Sequence, residues 1–219
     1  NATADKLGDD EATGTGDVLV TQTITVSGGT KYTASVFLKK DGLYWTRLEA
    51  TGAGAVGDPS PNQYFDLDNG VTGTASEGIQ DATIEAYPND WYRCSITWTQ
   101  GAGDTSFNLR IFVAEADSDA IVDLDGTSSI FVWGAQVEEG PIATSYIPTT
   151  TASATRLKDD ITLGSASSLI GQTAGTLYVE VDYKIVKSGT RYFLSANDNS
   201  QNNRVVIVDT FNSPNNVLV

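Results

Sequence analysis

Two short alternating runs carry the residue types best suited to chemistry. In "LYWTRLEA", Trp45, Arg47 and Glu49 fall on one face of an extended strand, and in "WYRCSITWT", Trp91, Arg93 and Ser95 do the same. A flat aromatic ring beside a cation and hydrogen-bonding groups suits a glycan: the ring stacks on sugar C–H faces and a few fixed polar atoms read the hydroxyls. Gln136, in "VWGAQVEEG", joins this set if its strand is a neighbour. Tyr64 and Phe65, in a loop-rich region, are alternative contact residues. The competing reading makes Trp45 and Trp91 partly buried rim residues whose neighbouring arginines pair with acids.

Catalysis has less to work with. The chain contains no histidine, which excludes serine triads, Cys–His dyads and the usual zinc sites. Glu138 and Glu139 are adjacent, so a strand sends them to opposite faces and they cannot flank one glycosidic bond. Cys94 is the only cysteine; it forms no intrachain disulfide and reads as a small buried hydrophobe. The acidic runs "DLDNG" (Asp66, Asp68) and "DSDAIVDLDG" (Asp117, Asp119, Asp123, Asp125) offer hard oxygen ligands. Neither has the spacing of a helix-loop-helix calcium loop, and turn chemistry alone accounts for Asp beside Gly. The expected protein is therefore not an enzyme.

The elements that must position these residues are strands. The chain has 219 residues, 40% of them apolar, with 21 glycines and many Thr, Ser, Asn and Asp. That composition favours strands joined by turns. A net charge of −15 offers no clustered cations for phosphate, so nucleic acid and anionic membranes are poor partners. No run of about 18 apolar residues is present to insert in a membrane, and no signal peptide is visible at Asn1.

Period-two alternation then marks the strands. In "VLVTQTITV", Val18, Val20, Gln22, Ile24 and Val26 share the face expected to meet a core. "KYTASVFLKK" places Tyr32, Ala34, Val36 and Leu38 on one side and Thr33, Ser35 and Phe37 on the other. The "SGGT" turn between these runs predicts an antiparallel pair. Thr46, Leu48 and Ala50 face inward in the third run. Residues 51–83 read as loop, with one short strand near Tyr64 to Leu67. Tyr92, Cys94, Ile96 and Trp98 form the core face of the next run, and Phe107, Leu109, Ile111 and Val113 that of its successor. In "IFVWGAQV", Phe131, Trp133, Ala135 and Val137 are expected inward and Gln136 toward the candidate site. Tyr146 and Ile147 are expected to tuck back on the domain. Many antiparallel strands without helical patterning predict an all-β, jelly-roll β-sandwich.

"WYRCSITWT", then "VWGAQVEEGPIATSYIPT" and "ATR", resemble a module of bacteriophage tail and virion structural proteins. That module is itself similar to the jelly-roll carbohydrate-binding modules of polysaccharide-degrading enzymes. "TADKL", "GGTKYTASVFLK" and "WTRLEA" fall in matching order, so the resemblance covers roughly residues 2–156. In such modules another strand precedes the "TADKL" position, which implies either a trimmed chain or a substitute element. The resemblance also implies a structural calcium ion, to be sought at Asp5 and at the loop of Asp123 and Asp125.

Residues 1–148 are thus expected to form the sandwich, 149–158 a polar linker, and 159–219 a second, apparently incomplete β domain. Strands are expected there at Thr176–Tyr183, Arg191–Ala196 and Arg204–Val208, with "NNVLV" as another. They resemble the opening half of a concanavalin-like or laminin-G-like sandwich. The function implied is a non-catalytic glycan-binding module on a phage tail fibre or similar virion appendage, virion-borne or extracellular, recognising surface or environmental polysaccharide. The alternatives are a spacer or homo-oligomerisation domain of the virion without ligand, and an accessory module of a polysaccharide-degrading enzyme.

Overall fold

Strands form where the alternation was found, and the apolar faces of two sheets meet. A computed structural model describes residues 4–9, 13–55, 57–150, 152–156, 176, 178, 180, 190–197, 204–210 and 217–218. The chain divides into two compact units, Asn1–Ala152 and Ser153–Val219. In the first, the strands are β1 (Asp5–Gly8), β2 (Thr15–Asp17), β3 (Leu19–Thr25), β4 (Lys31–Lys40), β5 (Trp45–Thr51) and β6 (Asn62–Asp66). They continue as β7 (Val71–Ala75), β8 (Asp81–Tyr87), β9 (Trp91–Thr99), β10 (Ser106–Ala114), β11 (Ile121–Asp123) and β12 (Ser129–Glu139). Sheet I has the order β1-β12-β4-β9-β8 and sheet II the order β3-β10-β5-β6-β7, while β11 and β2 form a separate ribbon. All pairings are antiparallel, and the unit is a β-sandwich. No helix among the described residues is long and apolar enough to cross a membrane.

The core lies between the sheets. Tyr32, Ala34, Val36 and Leu38 of β4 and Cys94, Ile96 and Trp98 of β9 face Leu48 and Ala50 of β5 and Phe107, Leu109, Ile111 and Val113 of β10. Trp98 is fully buried against Phe107 (ring centroids 4.9 Å). Burial pushes the Cys94 thiol far above its ordinary range, consistent with an inert packing residue.

Four expectations change. β3 and β4 are not a hairpin: β3 pairs with β10 in sheet II, β4 with β12 and β9 in sheet I. The turn between them docks on the β9–β10 loop, where Gly29 N donates to Gln100 O (3.0 Å) and Val26 N to Thr105 O (2.9 Å). A Cβ on Gly28 would meet Ala102 O at 2.3 Å, so the chain can cross between sheets only with glycine there. Val20, though on the inward parity, stays 46% exposed, because β3 is an edge strand. Residues 51–83 hold two whole strands, β6 and β7, and the start of β8, and Tyr64 and Phe65 are buried in β6 instead of displayed on a loop.

The fourth change is in β12. Trp133 pairs with Phe37 and Gln136 with Ser35, so three steps on β12 span two on β4. This bulge at Gly134–Ala135, with Gly134 at φ 62°, reverses the side-chain phase. Ile130, Val132 and Val137 point to the core. Phe131 and Trp133 therefore lie on the opposite side of the strand from Val132, against the sequence expectation. Ala135 is exposed.

Asp58 pins the β5–β6 connection to the β7–β8 connection. It accepts from Ser60 N (2.9 Å), Gly78 N (3.1 Å) and Ser76 Oγ. Burial pushes its carboxyl up, but the three donors outweigh that and hold it below the usual aspartate value. The depressed value makes this stabilisation complete above the unfolded pKa, about 4, and lost as pH falls through the lower folded one. Denaturant titrations of wild type and Asp58→Ala should differ at neutral pH and converge by about pH 2; a constant gap would refute the assignment.

In the second unit, β13 (Thr190–Asn197), β14 (Arg204–Thr210) and β15 (Val217–Leu218) form an antiparallel sheet in that order. The strand expected at 176–183 lies outside the described residues, apart from 176, 178 and 180.

Candidate functional site

The "LYWTRLEA" and "WYRCSITWT" runs sit on opposite outer faces of the sandwich. Trp45, Arg47 and Glu49 (β5) and Tyr64 (β6) are on sheet II; Trp91 and Arg93 (β9) and Gln136 (β12) are on sheet I. They do not form one site.

On sheet II the arginines are used internally. The Arg47 guanidinium lies over the Phe112 ring (3.7 Å to the centroid), contacts Tyr64 Oη (3.3 Å) and pairs with Glu49 (3.3 Å). Arg110 pairs with the same carboxylate (3.3 Å), and Thr51 Oγ1 also donates to it. Glu49 is only 7% exposed. Trp45 packs against the buried cluster of Tyr64, Phe112, Ala114 and Ala120, with its ring so close to Gly73 that a Cβ there would meet it at 2.6 Å. On this face the tryptophan is partly buried and both arginines pair with one acid, the arrangement of the structural alternative.

Sheet I differs. Its β8–β9 hairpin turns through Pro88, Asn89 and Asp90, the last two in the left-handed region (φ 64° and 61°), which short polar side chains tolerate. The turn sets Tyr87 opposite Trp91. Lys39 Nζ donates to Asn89 O (2.9 Å) and holds the turn to β4. Phe37, on β4, meets Tyr87 edge-on (centroids 5.0 Å, 84°) and Trp133 at 5.1 Å. These rings, with Pro88 and Ala4, line a cleft of about 330 Å³ that includes Trp91. Its volume is at the lower end for small-molecule sites. Beneath it Arg93, 7% exposed, places its guanidinium 5.4 Å from the Phe37 ring centre and donates to Ser35 Oγ (2.9 Å). Among the described residues the lining offers ring faces, a proline and a methyl group, with the Tyr87 phenol as its one ionisable group.

Gln136 does not reach the cleft. Its Oε1 accepts from Ile147 N (2.8 Å) and its Nε2 donates to Glu138 Oε2 (2.7 Å). Glu138 in turn accepts from Thr144 N (2.9 Å) and Thr144 Oγ1. Tyr146 packs at a tilt on Trp133 (centroids 4.8 Å, 51°), so Tyr146 and Ile147 do tuck back as expected. Thr33 and Ser35, on the outer side of β4, are each 1% exposed; Thr33 Oγ1 donates to Gly140 O (2.8 Å) at the start of this segment.

The acidic groups stay apart. Asp5 is exposed on β1 opposite Val132, Asp123 ends β11, and Asp125 accepts from Thr127 N (2.9 Å) and Oγ1 (2.6 Å). Those Thr127 donors hold the Asp125 carboxyl below its usual range. Among the described residues no three acidic or cysteine side chains converge as a metal-holding group.

Phe37, Tyr87 and Trp133 were missed as site residues. The repeated aromatic spacing across "YPNDW" was a usable signal for Tyr87, and the glycine in "WGAQ" for a bulge; the convergence with Phe37 is non-local. Fold and site together define a β-sandwich with an aromatic cleft on one outer face. In comparisons with known proteins the chain matches no family model and no curated protein.

Proposed function

We propose that the first unit is a non-catalytic carbohydrate-binding module whose sugar stacks in the Phe37–Tyr87–Trp91–Trp133 cleft. The observation that carries this reading is the convergence of four rings from four strands on a solvent-facing cleft. Such rings cost hydration when left empty and match the C–H faces of a hexose. The net charge of −15 favours a neutral glycan over a polyanion. The resemblance of residues 2–156 to phage tail modules supports a virion appendage as the setting, where many copies would raise a weak single-site affinity.

Calorimetric titration of the protein with neutral oligosaccharides and host-envelope polysaccharide tests the reading. Binding is expected, and Trp91→Ala should weaken it at least about tenfold, as for a central aromatic anchor. No binding, or binding indifferent to Trp91→Ala, counts against it.

A second reading, an assembly or spacer domain without ligand, draws on β3. This edge strand, "LVTQTIT", has no charge, proline or glycine, and natural sheets guard such edges against association. Stable oligomers that bind no glycan would favour it.

A further inference from the structure

The segment that leaves β12, residues 140–147, turns back on the outer face of sheet I. Its hold is specific. Gly140 N donates to Lys31 O (2.8 Å) and Gly140 O accepts from Thr33 Oγ1 (2.8 Å). Glu138 takes the Thr144 amide and hydroxyl, and Gln136 takes the Ile147 amide. Between the last two anchors stands Tyr146, whose ring lies 4.8 Å from that of Trp133. Trp133 itself sits at the edge of the bulge, with Phe37 at 5.1 Å on another side. Over Gly134 the packing is close: a Cβ there would approach Phe37 Cδ2 at 3.2 Å and Tyr146 Cε2 at 3.4 Å.

The bulge explains why this arrangement exists. By reversing the side-chain phase it puts Trp133, Gln136 and Glu138 on the same outer face, the first as cleft wall and the other two as brackets for the segment. One device therefore supplies both the ring and the means of holding it.

We infer that the 140–147 segment is a strap that sets the Trp133 ring for stacking, so that cleft occupancy and strap docking are thermodynamically linked. Tyr146 is a positioning residue: it does not line the cleft, and acts through Trp133. The inference rests on the cleft being the saccharide site. Linkage is reciprocal: the factor by which saccharide prefers the strap-docked state over the undocked one equals the factor by which binding stabilises the docked strap. That factor sets the upper limit on what undocking by loss of the Tyr146 contact can cost in affinity. A lost aromatic pair corresponds to about threefold to tenfold.

The test has two arms on the full chain. In the first, without saccharide, 5-fluorotryptophan labelling follows Trp133 by 19F NMR, with its resonance assigned by Trp133→Phe and that of core Trp98 as the control for folding. Tyr146→Phe should leave the Trp133 resonance dispersed. Tyr146→Ala should move it toward the position of a solvent-averaged indole while Trp98 stays fixed. In the second arm, neutral hexose tetrasaccharides of α- and β-linkage are titrated while amide exchange of residues 142–147 is followed. Slower exchange with saccharide, and about threefold to tenfold weaker binding by Tyr146→Ala but not Tyr146→Phe, supports the strap. An unmoved Trp133 resonance in Tyr146→Ala overturns it. So does saccharide binding that is lost on Trp91→Ala yet equal in Tyr146→Ala, which leaves the carbohydrate reading intact. If no saccharide binds, the carbohydrate reading and the linkage fall together, whereas the NMR arm still decides whether the strap holds the ring.

Discussion

Trp98→Ala is expected to lower the stability of the first unit by about 3–5 kcal/mol, the range for deleting a large, fully buried aromatic. Trp98 has no exposed surface, its ring meets Phe107 edge-on and Tyr32 at 6.4 Å, and its indole N–H donates to Gln100 Oε1 (3.2 Å). Gln100 is itself 1% exposed, with Nε2 directed at the carbonyls of Asp104 and Ser106. Alanine therefore leaves a cavity and also strips a buried acceptor of its donor. For a unit of this size the melting temperature should fall by roughly 6–20 °C. Trp98→Phe should cost less, because it keeps most of the packing and loses mainly the hydrogen bond. Differential scanning calorimetry on both variants separates the contributions; equal losses would mean that the indole N–H dominates.

The second large effect is expected at Glu49. Two guanidiniums, of Arg47 and Arg110, converge on this buried carboxylate. The Nε atoms of Arg47 and Arg110 are already buried without a hydrogen-bond partner. Removing the acid from a buried pair typically costs 3–5 kcal/mol, because the remaining charge is left uncompensated. Arg110 is 36% exposed and water screens part of its charge, which places Glu49→Ala near the lower end, about 3 kcal/mol. The double variant Glu49→Ala/Arg47→Met should recover a large part of that loss, since Met can still cover the Phe112 ring that Arg47 now lies over. Urea unfolding of the four proteins in this cycle measures the coupling. Additive losses would show that the ion pair contributes nothing beyond packing.

Much of the fold was legible because local alternation and burial agree. The inward faces of β4, β5, β9 and β10 can be read directly, since each is a central strand with one side on a single core. Edge strands were harder. β7, "VTGTA", is exposed along most of its length and carries no apolar rhythm, so it was indistinguishable from loop. The "SGGT" turn suggested a hairpin, yet the chain gains more by sending β3 and β4 to opposite sheets, a choice made by tertiary burial and invisible in four turn residues.

The candidate site was legible only in part, for a similar reason. Side-chain parity within one strand is local, and it placed Trp91 and Arg93 on the outward side together. Which sheet a strand joins is not local. Trp45 and Trp91 were thereby grouped although a whole core separates their faces. In β12 a single inserted residue was enough to turn Trp133 from an expected core residue into a wall of the cleft.

The pairing of β1 with β12 also has a mechanical side. The strands are antiparallel, with Asp5 opposite Val132 and Gly8 opposite Ser129, so the chain enters β1 and leaves β12 toward the same end of sheet I. A pull on the amino-terminal side of β1, with the sandwich held, loads this seam by peeling: its four residue pairs open one after another, beginning at Asp5, instead of shearing together. The first residue drawn away is Ala4, which lines the aromatic cleft. Tension on the chain would thus open the cleft at its β1 side before any core strand of the sandwich is disturbed.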